Sequence, residues 1–190
     1  GTRFGIVIGD TVGWIGFSFD FSPLMSIYHV DYDKNADSAT GTMANQDMVV
    51  DRTYNLSANS FSRTGYDWNG WNSSADGSGT SYSNKQSVTN LTTTNGGTYT
   101  MYAQWNPHKY KVRFNKNADD ATGTMPDMDI KYDEEKNLTT VGFKRTGYRF
   151  YRWHRDNKTD DANTYYNEDM VSNLTDKDGD VINLYAEWRP

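Results

Sequence analysis

Hydrophobic and polar residues alternate in short runs along most of this chain. Residues 28–33 read YHVDYD, and residues 110–115 repeat the alternation as YKVRFN. A period of two places alternate side chains on one face of an extended backbone. Runs rich in Asn, Asp, Gly and Ser separate these stretches, as is typical of loops. The pattern therefore predicts a protein built mostly from short β-strands.

A long internal repeat organises the chain from residue 28 onward. The stretch 35–43, NADSATGTM, returns at 117–125 as NADDATGTM, 82 positions later. Repetition at a fixed spacing indicates two copies of one structural unit. We therefore expect three parts in the chain. These are an apolar amino-terminal β segment (residues 1–27), repeat 1 (residues 28–107) and repeat 2 (residues 108–190).

The most aromatic stretch of each repeat is predicted to be its central strand. Residues 63–71 read RTGYDWNGW, and residues 145–153 read RTGYRFYRW. A Gly before alternating rings suits a turn that leads into a half-buried strand. The tryptophans recur at matched positions while the polar loops 72–86 and 154–168 differ, apart from Tyr82 and its approximate match Tyr166. We therefore expect the matched tryptophans to be core residues, namely Trp71, Trp153, Trp105 and Trp188.

Further apolar positions mark the other elements. In repeat 1 a strand is expected around Met48 and Val50, and a final strand at 98–105. Leu56 and Phe61 anchor a stretch that could hold a helical turn. The linker between the repeats is only residues 106–109, which predicts two domains in semi-rigid succession.

The amino-terminal segment has no counterpart later in the chain. Its alternating apolar residues predict two short strands, over 4–9 and 15–21, with a Gly/Asp-containing turn at 10–13 between them. An isolated two-stranded hairpin is only marginally stable, so such an apolar one is expected to pack against another part of the protein or another molecule. One hypothesis is that it packs on repeat 1 or ends a preceding domain. The other is strand addition to another copy or a neighbouring surface protein. The predicted contacts of this segment are Phe4, Ile6, Ile8, Trp14, Phe17, Phe19 and Phe21.

Composition narrows the class of protein. Only 35% of residues are hydrophobic but 15% are aromatic, so large rings must supply much of the buried area. The net charge of −6 argues against a nucleic-acid partner. There is no Cys, which excludes disulfides and thiolate chemistry. No apolar run is long enough to span a membrane. The first residues lack a signal-peptide layout, so we expect a mature or excised piece.

No catalytic or metal-binding constellation is predicted, and no cofactor. His29, His108 and His154 share no ligand spacing. The adjacent carboxylates lie in polar stretches typical of solvated loops. The segment 176–180, DKDGD, resembles part of a calcium loop, but its Gly stands at the fourth position instead of the sixth. A simple turn and a weak cation site are both compatible with that segment.

The aromatic residues support one rival function. Trp and Tyr beside Asn and Asp can form a platform on which sugars stack, so a carbohydrate-binding module is the alternative function. Trp14 and Trp68 are the candidates for exposed contacts, because Trp68 is matched by Phe150 in the second repeat. Six Asn-x-Ser/Thr sequences are also candidate glycosylation sites. They are Asn55, Asn72, Asn90, Asn137, Asn157 and Asn173.

Several spaced motifs occur together twice. They are Tyr-x-Val-x-Tyr/Phe, Ala-Thr-Gly-Thr-Met, Arg-Thr-Gly-Tyr with Trp five residues after the Tyr, and Tyr-Ala-x-Trp. Together they resemble the Listeria–Bacteroides repeat, the B-repeat type of internalin-like surface proteins. The resemblance covers residues 28–190. Two positions depart from it. Arg152 stands where Gly70 precedes the Trp, and an Asn-Ala-Asp loop replaces Asn-Gly-Gly.

The resemblance implies a compact β-grasp-like α+β fold, found in tandem arrays of secreted or wall-attached microbial proteins. It implies no catalytic residues. We therefore expect a non-enzymatic extracellular segment of a cell-surface protein, adhesin-like, stalk-forming or filament-forming. Its expected partners are copies of itself, neighbouring surface proteins or surface glycans.

Overall fold

The computed structural model describes residues 25–156 and 163–190 in full. Two further strands, β1 (Phe4–Ile8) and β2 (Thr11–Ile15), are described by their backbone. Strands account for 47% of the structure, and no α-helix occurs in the parts of the chain that are described. The prediction of a mostly β protein with two tandem repeat domains is confirmed, whereas the β-grasp detail is not confirmed.

Repeat 1 is built on a five-stranded mixed sheet with the strand order β4-β3-β9-β6-β7. The central strand β9 runs parallel to its neighbour β3, and all other neighbouring strands are antiparallel. A separate antiparallel pair, β5 with β8, accompanies the sheet. The strands are β3 (Ile27–Asp33), β4 (Gln46–Val49), β5 (Thr53–Asn55), β6 (Tyr66–Asn72), β7 (Ser81–Tyr82), β8 (Ser87–Thr89) and β9 (Thr98–Pro107).

Repeat 2 has the same topology. Its five-stranded sheet has the order β11-β10-β16-β13-β14, and β12 pairs with β15. The strands are β10 (Lys109–Asn115), β11 (Met128–Lys131), β12 (Lys136–Asn137), β13 (Arg149–Arg155), β14 (Thr164–Tyr165), β15 (Met170–Val171) and β16 (Val181–Arg189).

Each repeat has its own hydrophobic core. In β3 the alternation buries Tyr28, Val30 and Tyr32, while the intervening residues lie on the opposite face and are partly exposed. The two clusters of buried residues share no member, one lying within 28–103 and the other within 110–186. Burial of apolar surface is the main favourable contribution to folding, and each repeat therefore obtains it from its own residues.

The matched tryptophans lie where the sequence predicted them. Trp71 and Trp153 are fully buried. Each packs against one ring from the first strand of its repeat and against one Phe from the stretch that precedes the aromatic strand. Trp105 and Trp188 are partly buried against the same cores. Their indole N–H groups donate to main-chain oxygens of Lys34 and Lys116, both at 2.8 Å.

A β-bulge interrupts the aromatic strand of each repeat at the same place. In repeat 1 the bulge contains Gly70, whose φ is +93°. In repeat 2 the corresponding bulge lies between Phe150 and Arg152, and Arg152 does not adopt positive φ. The second bulge therefore forms without the left-handed residue, which explains how a long side chain replaces this glycine.

Three finer predictions are corrected. The stretch from Leu56 to Phe61 has no regular secondary structure and contains no helical turn. The second amino-terminal strand begins at Thr11, which the sequence had suggested for the turn, and residues 16–24 lie outside the described residues. Tyr82 corresponds to Tyr165, because each pairs with the buried Trp of its own repeat.

The sheet edges are short. The edge strands β4 and β11 have four residues each, and β7 and β14 have two each. Short edges limit pairing between molecules. The hairpin β1-β2 forms a two-stranded sheet that is part of neither five-stranded sheet. Within the described residues, no helix is long and apolar enough to cross a membrane.

Candidate functional site at the repeat junction

A single residue, His108, separates the last strand of repeat 1 from the first strand of repeat 2. Its backbone N–H donates to the carbonyl oxygen of Gly65 at 2.8 Å. Its own carbonyl oxygen accepts from the N–H of Tyr132, also at 2.8 Å. The linker is thus hydrogen-bonded to a turn of each repeat, and we call the contact of these two turns the junction.

The turn contributed by repeat 1 is Arg63-Thr64-Gly65-Tyr66. The N–H of Tyr66 donates to the carbonyl oxygen of Arg63 at 3.2 Å, and Gly65 has a φ of +75°. Only Gly adopts this geometry without a steric penalty. The guanidinium carbon of Arg63 lies 3.6 Å from the centroid of the Tyr66 ring, a cation–π contact that orients both side chains.

The turn contributed by repeat 2 contains Tyr132 and Asp133. Asp133 has a φ of +62°, which is unfavourable for a residue with a β-carbon. Asn173 offsets this cost. Its Oδ1 accepts from the N–H of Asp133 at 2.6 Å, and its Nδ2 donates to the Asp133 carboxylate at 2.8 Å. In repeat 1, Asp51 and Asn90 form the same pair.

The two turns meet through ring packing and a shared carboxylate. Tyr132 covers Gly65 and contacts Tyr66 edge to face, with ring centroids 5.8 Å apart. The Tyr66 hydroxyl donates to Oδ2 of Asp133 at 2.8 Å. The Arg63 guanidinium lies 3.5 Å from the same oxygen. Asp133 therefore joins a side chain of its own repeat to two side chains of the other.

The electrostatics of this contact follow from its hydrogen bonds. Hydrogen bonds from Asn173 and Tyr66, together with the charge of Arg63, lower the pKa of Asp133. Burial, and the hydrogen bond to Asp133, raise the pKa of Tyr66. Asp133 is therefore ionised and Tyr66 protonated near neutral pH, which are the states that this donor–acceptor pair requires.

The imidazole of His108 forms a second polar contact at the junction. Its Nδ1 lies 2.5 Å from the carbonyl oxygen of Asp176, and its Nε2 lies 3.2 Å from Oδ1 of Asp67. The hydrogen bond to Asp176 raises the pKa of His108, and the carboxylates of Asp67 and Asp178 act in the same direction. The protonated ring donates on both sides, so it bridges the repeats.

The calcium-like segment 176–180 has structural partners. Asp178 accepts a hydrogen bond from the N–H of Lys109 at 2.8 Å. Asp180 accepts from the Thr175 hydroxyl and from the N–H of Val181. In the part of the chain that the structure describes, no three His, Asp or Glu side chains are grouped to hold a metal ion.

Repeat 2 also contains a polar cluster on its aromatic strand. Oε2 of Glu187 accepts from Nε of Arg152 and lies within hydrogen-bond distance of Nε2 of His154, both at 2.6 Å. Burial opposes ionisation of Glu187, but these two partners outweigh it and lower its pKa. His154 is buried. The cluster is satisfied internally, which suits a structural contact.

Comparison with known proteins identifies the repeats. The model of the Listeria-Bacteroides repeat domain matches residues 28–104 and 110–186. The chain belongs to this family. Listeria-Bacteroides repeats are a structural, non-catalytic kind of domain that is typical of bacterial surface proteins. The family resemblance inferred from the motifs is thus confirmed.

One curated relative comes from Evansella cellulosilytica and is described as a Gly-rich membrane protein. It is 31% identical over 128 residues, which is 67% of this chain. The chain spans only 14% of that relative's length. Among solved structures, that of Mub-RV shares 9% identity with a TM-score of 0.18, covering 86% of this chain and all of its own. This similarity is too low to indicate a shared fold.

The predicted contacts of the amino-terminal segment lie in or near the hairpin. Phe4, Ile6 and Ile8 belong to β1, and Trp14 belongs to β2. The remaining three, Phe17, Phe19 and Phe21, lie outside the described residues. Strand addition through this segment of the Listeria-Bacteroides repeat protein stays a prediction.

Trp68 lies between surface and core. It is half-buried, and its ring contacts Trp71 edge to face with centroids 5.3 Å apart. Its indole N–H is buried and has no hydrogen-bond partner in the structure. These contacts make Trp68 an outer layer of the repeat 1 core. A hollow lined by Trp68, Tyr82 and Asn84 remains beside it, and glycan contact there stays a prediction.

The candidate glycosylation sites differ in exposure. Asn55 and Asn137 are exposed. Asn72 is 1% exposed, and its amide donates within loop 73–81, so a glycan there would require this loop to open. Asn90 and Asn173 support the positive-φ Asp of each repeat. The last site, Asn157, lies outside the described residues.

Sequence reasoning assigned none of Tyr132, Asp133 and Asn173 to a junction, and it considered Asn173 only as a glycosylation site. One signal was available in the alignment of the two repeats. Tyr132 stands where repeat 1 has Val50, so an aromatic residue replaces an aliphatic one in an otherwise matching part of the two repeats. That difference identifies a residue that serves only one of the copies.

Proposed function

We propose that this chain is a non-enzymatic, extracellular segment of a microbial cell-surface protein, and that its two repeats form an adhesin-like stalk of fixed geometry. The observation that carries the proposal is the junction. A stalk must hold successive domains at a set angle and spacing, and a one-residue linker bonded on both sides serves that purpose.

The contacts of the junction oppose reorientation of the repeats. Rotation about His108 would break its two backbone hydrogen bonds and separate the rings of Tyr66 and Tyr132. It would also remove the Tyr66 hydroxyl and the Arg63 guanidinium from the Asp133 carboxylate. Each such hydrogen bond contributes about 0.5–1.5 kcal/mol. Their number supports a spacer with one preferred geometry.

A structural function also agrees with the separate cores. Each repeat buries its own aromatic cluster, so repeats can be added or removed without redesign of a shared interior. The polar segments that differ between the repeats, 72–86 and 154–168, are then the natural carriers of partner specificity through their exposed loop residues. Assembly with further copies through residues 1–27 is the corresponding hypothesis for filament formation.

Surface exposure is tested on intact cells that produce this protein. Antibodies raised against residues 28–190 are expected to label unpermeabilised cells, and added protease is expected to remove the label. A cytoplasmic protein of the same cells must remain intact as the control. Labelling that appears only after permeabilisation would contradict the proposed location.

The spacer function is tested by a linker insertion. Six Gly and Ser residues placed between Pro107 and His108 separate the turns of the junction but leave both cores unchanged. Small-angle scattering of the parent chain is expected to fit one arrangement of the repeats, whereas the insertion variant requires an ensemble. Equal flexibility of the two chains would refute a fixed spacer.

A further inference from the structure

The turn that repeat 1 uses at the junction is present again in repeat 2. Arg145, Gly147 and Tyr148 occupy the positions of Arg63, Gly65 and Tyr66. The guanidinium carbon of Arg145 lies 3.9 Å from the centroid of the Tyr148 ring, and Gly147 has a φ of +79°. The N–H of Tyr148 donates to the Arg145 carbonyl oxygen at 3.1 Å. Both turns therefore have the same conformation.

The two turns differ in what covers them. Gly65 is buried beneath the ring of Tyr132, whereas a β-carbon added at Gly147 would meet no atom within 4 Å. Tyr148 is 40% exposed. Repeat 2 thus presents the docking turn of repeat 1, already formed, on an open surface.

We propose that this surface, formed by Arg145, Gly147, Tyr148 and Arg149, is a docking site for a further Listeria-Bacteroides repeat joined on the carboxyl side of Pro190. The inference rests on the proposed function and extends it, because it names the partner that the second repeat accepts. The partner places an aromatic ring over Gly147 and a carboxylate beside Tyr148 and Arg145.

The chemistry of the partner follows from the junction. It needs an aromatic residue at the position of Tyr132, followed by an Asp held by an Asn, as Asp133 is held by Asn173. Repeat 1 has the Asp51–Asn90 pair but carries Val50 in place of the aromatic. The site therefore favours a repeat of the second kind over repeat 1 of another copy of this chain.

The linker residue of the partner is expected to differ from His108. At the junction, Asp67 faces the imidazole of His108. In repeat 2, Arg149 stands at the position of Asp67 and pairs in register with Arg189. The Arg189 guanidinium lies over the Tyr151 ring, so Arg149 is the charge that takes the place of Asp67. A guanidinium in place of a carboxylate disfavours a protonated imidazole and favours a carboxylate. The partner's linker residue is therefore acidic.

The test uses the full chain with a second copy of residues 108–190 added after Pro190, carrying His108→Glu in the added copy. The chain has no Cys, so one spin label can be placed at Met170→Cys and another at the corresponding Met of the added copy. Both methionine positions are on β15, where Met170 is exposed. Double electron–electron resonance then measures the distance between the labels.

The expected result is a narrow distance distribution that matches the one between Ser87→Cys and Met170→Cys, which are equivalent positions in repeats 1 and 2. Tyr132→Ala in the added copy is expected to broaden it, without touching repeat 2. The docking site would be overturned if the distance distribution were broad both with His108 and with His108→Glu in the added copy, and if Tyr132→Ala left it unchanged. If the pair in repeats 1 and 2 were also broad, the proposed spacer itself would fail, so the two failures are distinguishable.

Discussion

The ring of Tyr132 in repeat 2 occupies the space in which a β-carbon of Gly65 in repeat 1 would lie. The glycine therefore serves two purposes. Its φ of +75° forms the turn, and its missing side chain admits the ring of the neighbouring repeat. The equivalent Gly147 has the same backbone geometry and no ring above it. Comparing Gly65 with Gly147 therefore distinguishes the backbone geometry that the turn requires from the open space that the junction requires.

Alanine at these two glycines is expected to have different consequences. Both substitutions impose the left-handed strain of roughly 1–2 kcal/mol on their own repeat. Only Gly65→Ala also collides with Tyr132, so it alone is expected to separate the repeats. Denaturant unfolding measures the strain, and spin-label distances between the repeats measure the separation. Equal distance distributions for Gly65→Ala and Gly147→Ala would show that the ring contact does not hold the junction.

The junction is expected to loosen at alkaline pH. The pKa of His108 is raised, so its contribution is complete below the ordinary value of 6.5 and is lost as pH rises through the folded-state value. The pKa of Asp133 is lowered, so its contribution is complete above 3.8 and is lost as pH falls through the folded-state value. The tightest junction is therefore expected between about pH 4 and pH 6.5.

His108→Gln provides the control for this pH dependence. The amide cannot gain a proton, so inter-repeat distances of the variant are expected to stay constant from pH 5.5 to pH 8.5. The carboxylates that act on the imidazole are those of Asp67 and Asp178, and both are retained in the variant. Loosening of the variant to the same extent as the parent chain would exclude His108 as the cause.

The cluster around Glu187 is expected to stabilise repeat 2 alone. Glu187→Gln removes the charge from two hydrogen bonds at 2.6 Å, and a cost of about 1–2 kcal/mol in the free energy of unfolding is expected. The matched position in repeat 1 is Gln104, whose amide donates at 3.3 and 3.5 Å. Gln104→Ala is expected to cost less than about 0.5 kcal/mol. Similar losses for the two variants would argue against the cluster.

The separate cores are expected to unfold separately. Trp71→Ala removes the largest buried side chain of repeat 1, which costs about 3–5 kcal/mol. The amide NMR signals of repeat 2 should persist at denaturant concentrations where those of repeat 1 are already lost. Trp153→Ala is the mirror experiment. Simultaneous loss of both sets of signals in either variant would mean that the repeats form one cooperative unit.

The sequence predicted those features that depend on local period and on repetition. Alternation placed β3 and β10, and the recurrence of Trp71 at Trp153 identified both as core. These predictions succeed because a buried face requires the same pattern in every copy. The family resemblance was likewise visible from the spaced motifs.

The junction was not predictable in the same way. Tyr66 and Asp133 are joined by a hydrogen bond across 67 residues, and no periodic pattern specifies such a contact. Arg152 shows a second limit. It stands where repeat 1 has Gly70, yet the bulge persists and the Arg152 side chain pairs with Glu187. In both cases the conformation depends on a contact with a residue that is distant in the sequence.

The most direct test of a fixed junction is the distance between labels at Ser87→Cys and Met170→Cys in the otherwise unchanged chain. Both positions are exposed and lie on equivalent strands, β8 and β15. Double electron–electron resonance at pH 6 is expected to give one narrow distribution that broadens in Gly65→Ala and when a Gly-Ser linker follows Pro107. A broad distribution in the parent chain, no narrower than that of the linker variant, would contradict the account.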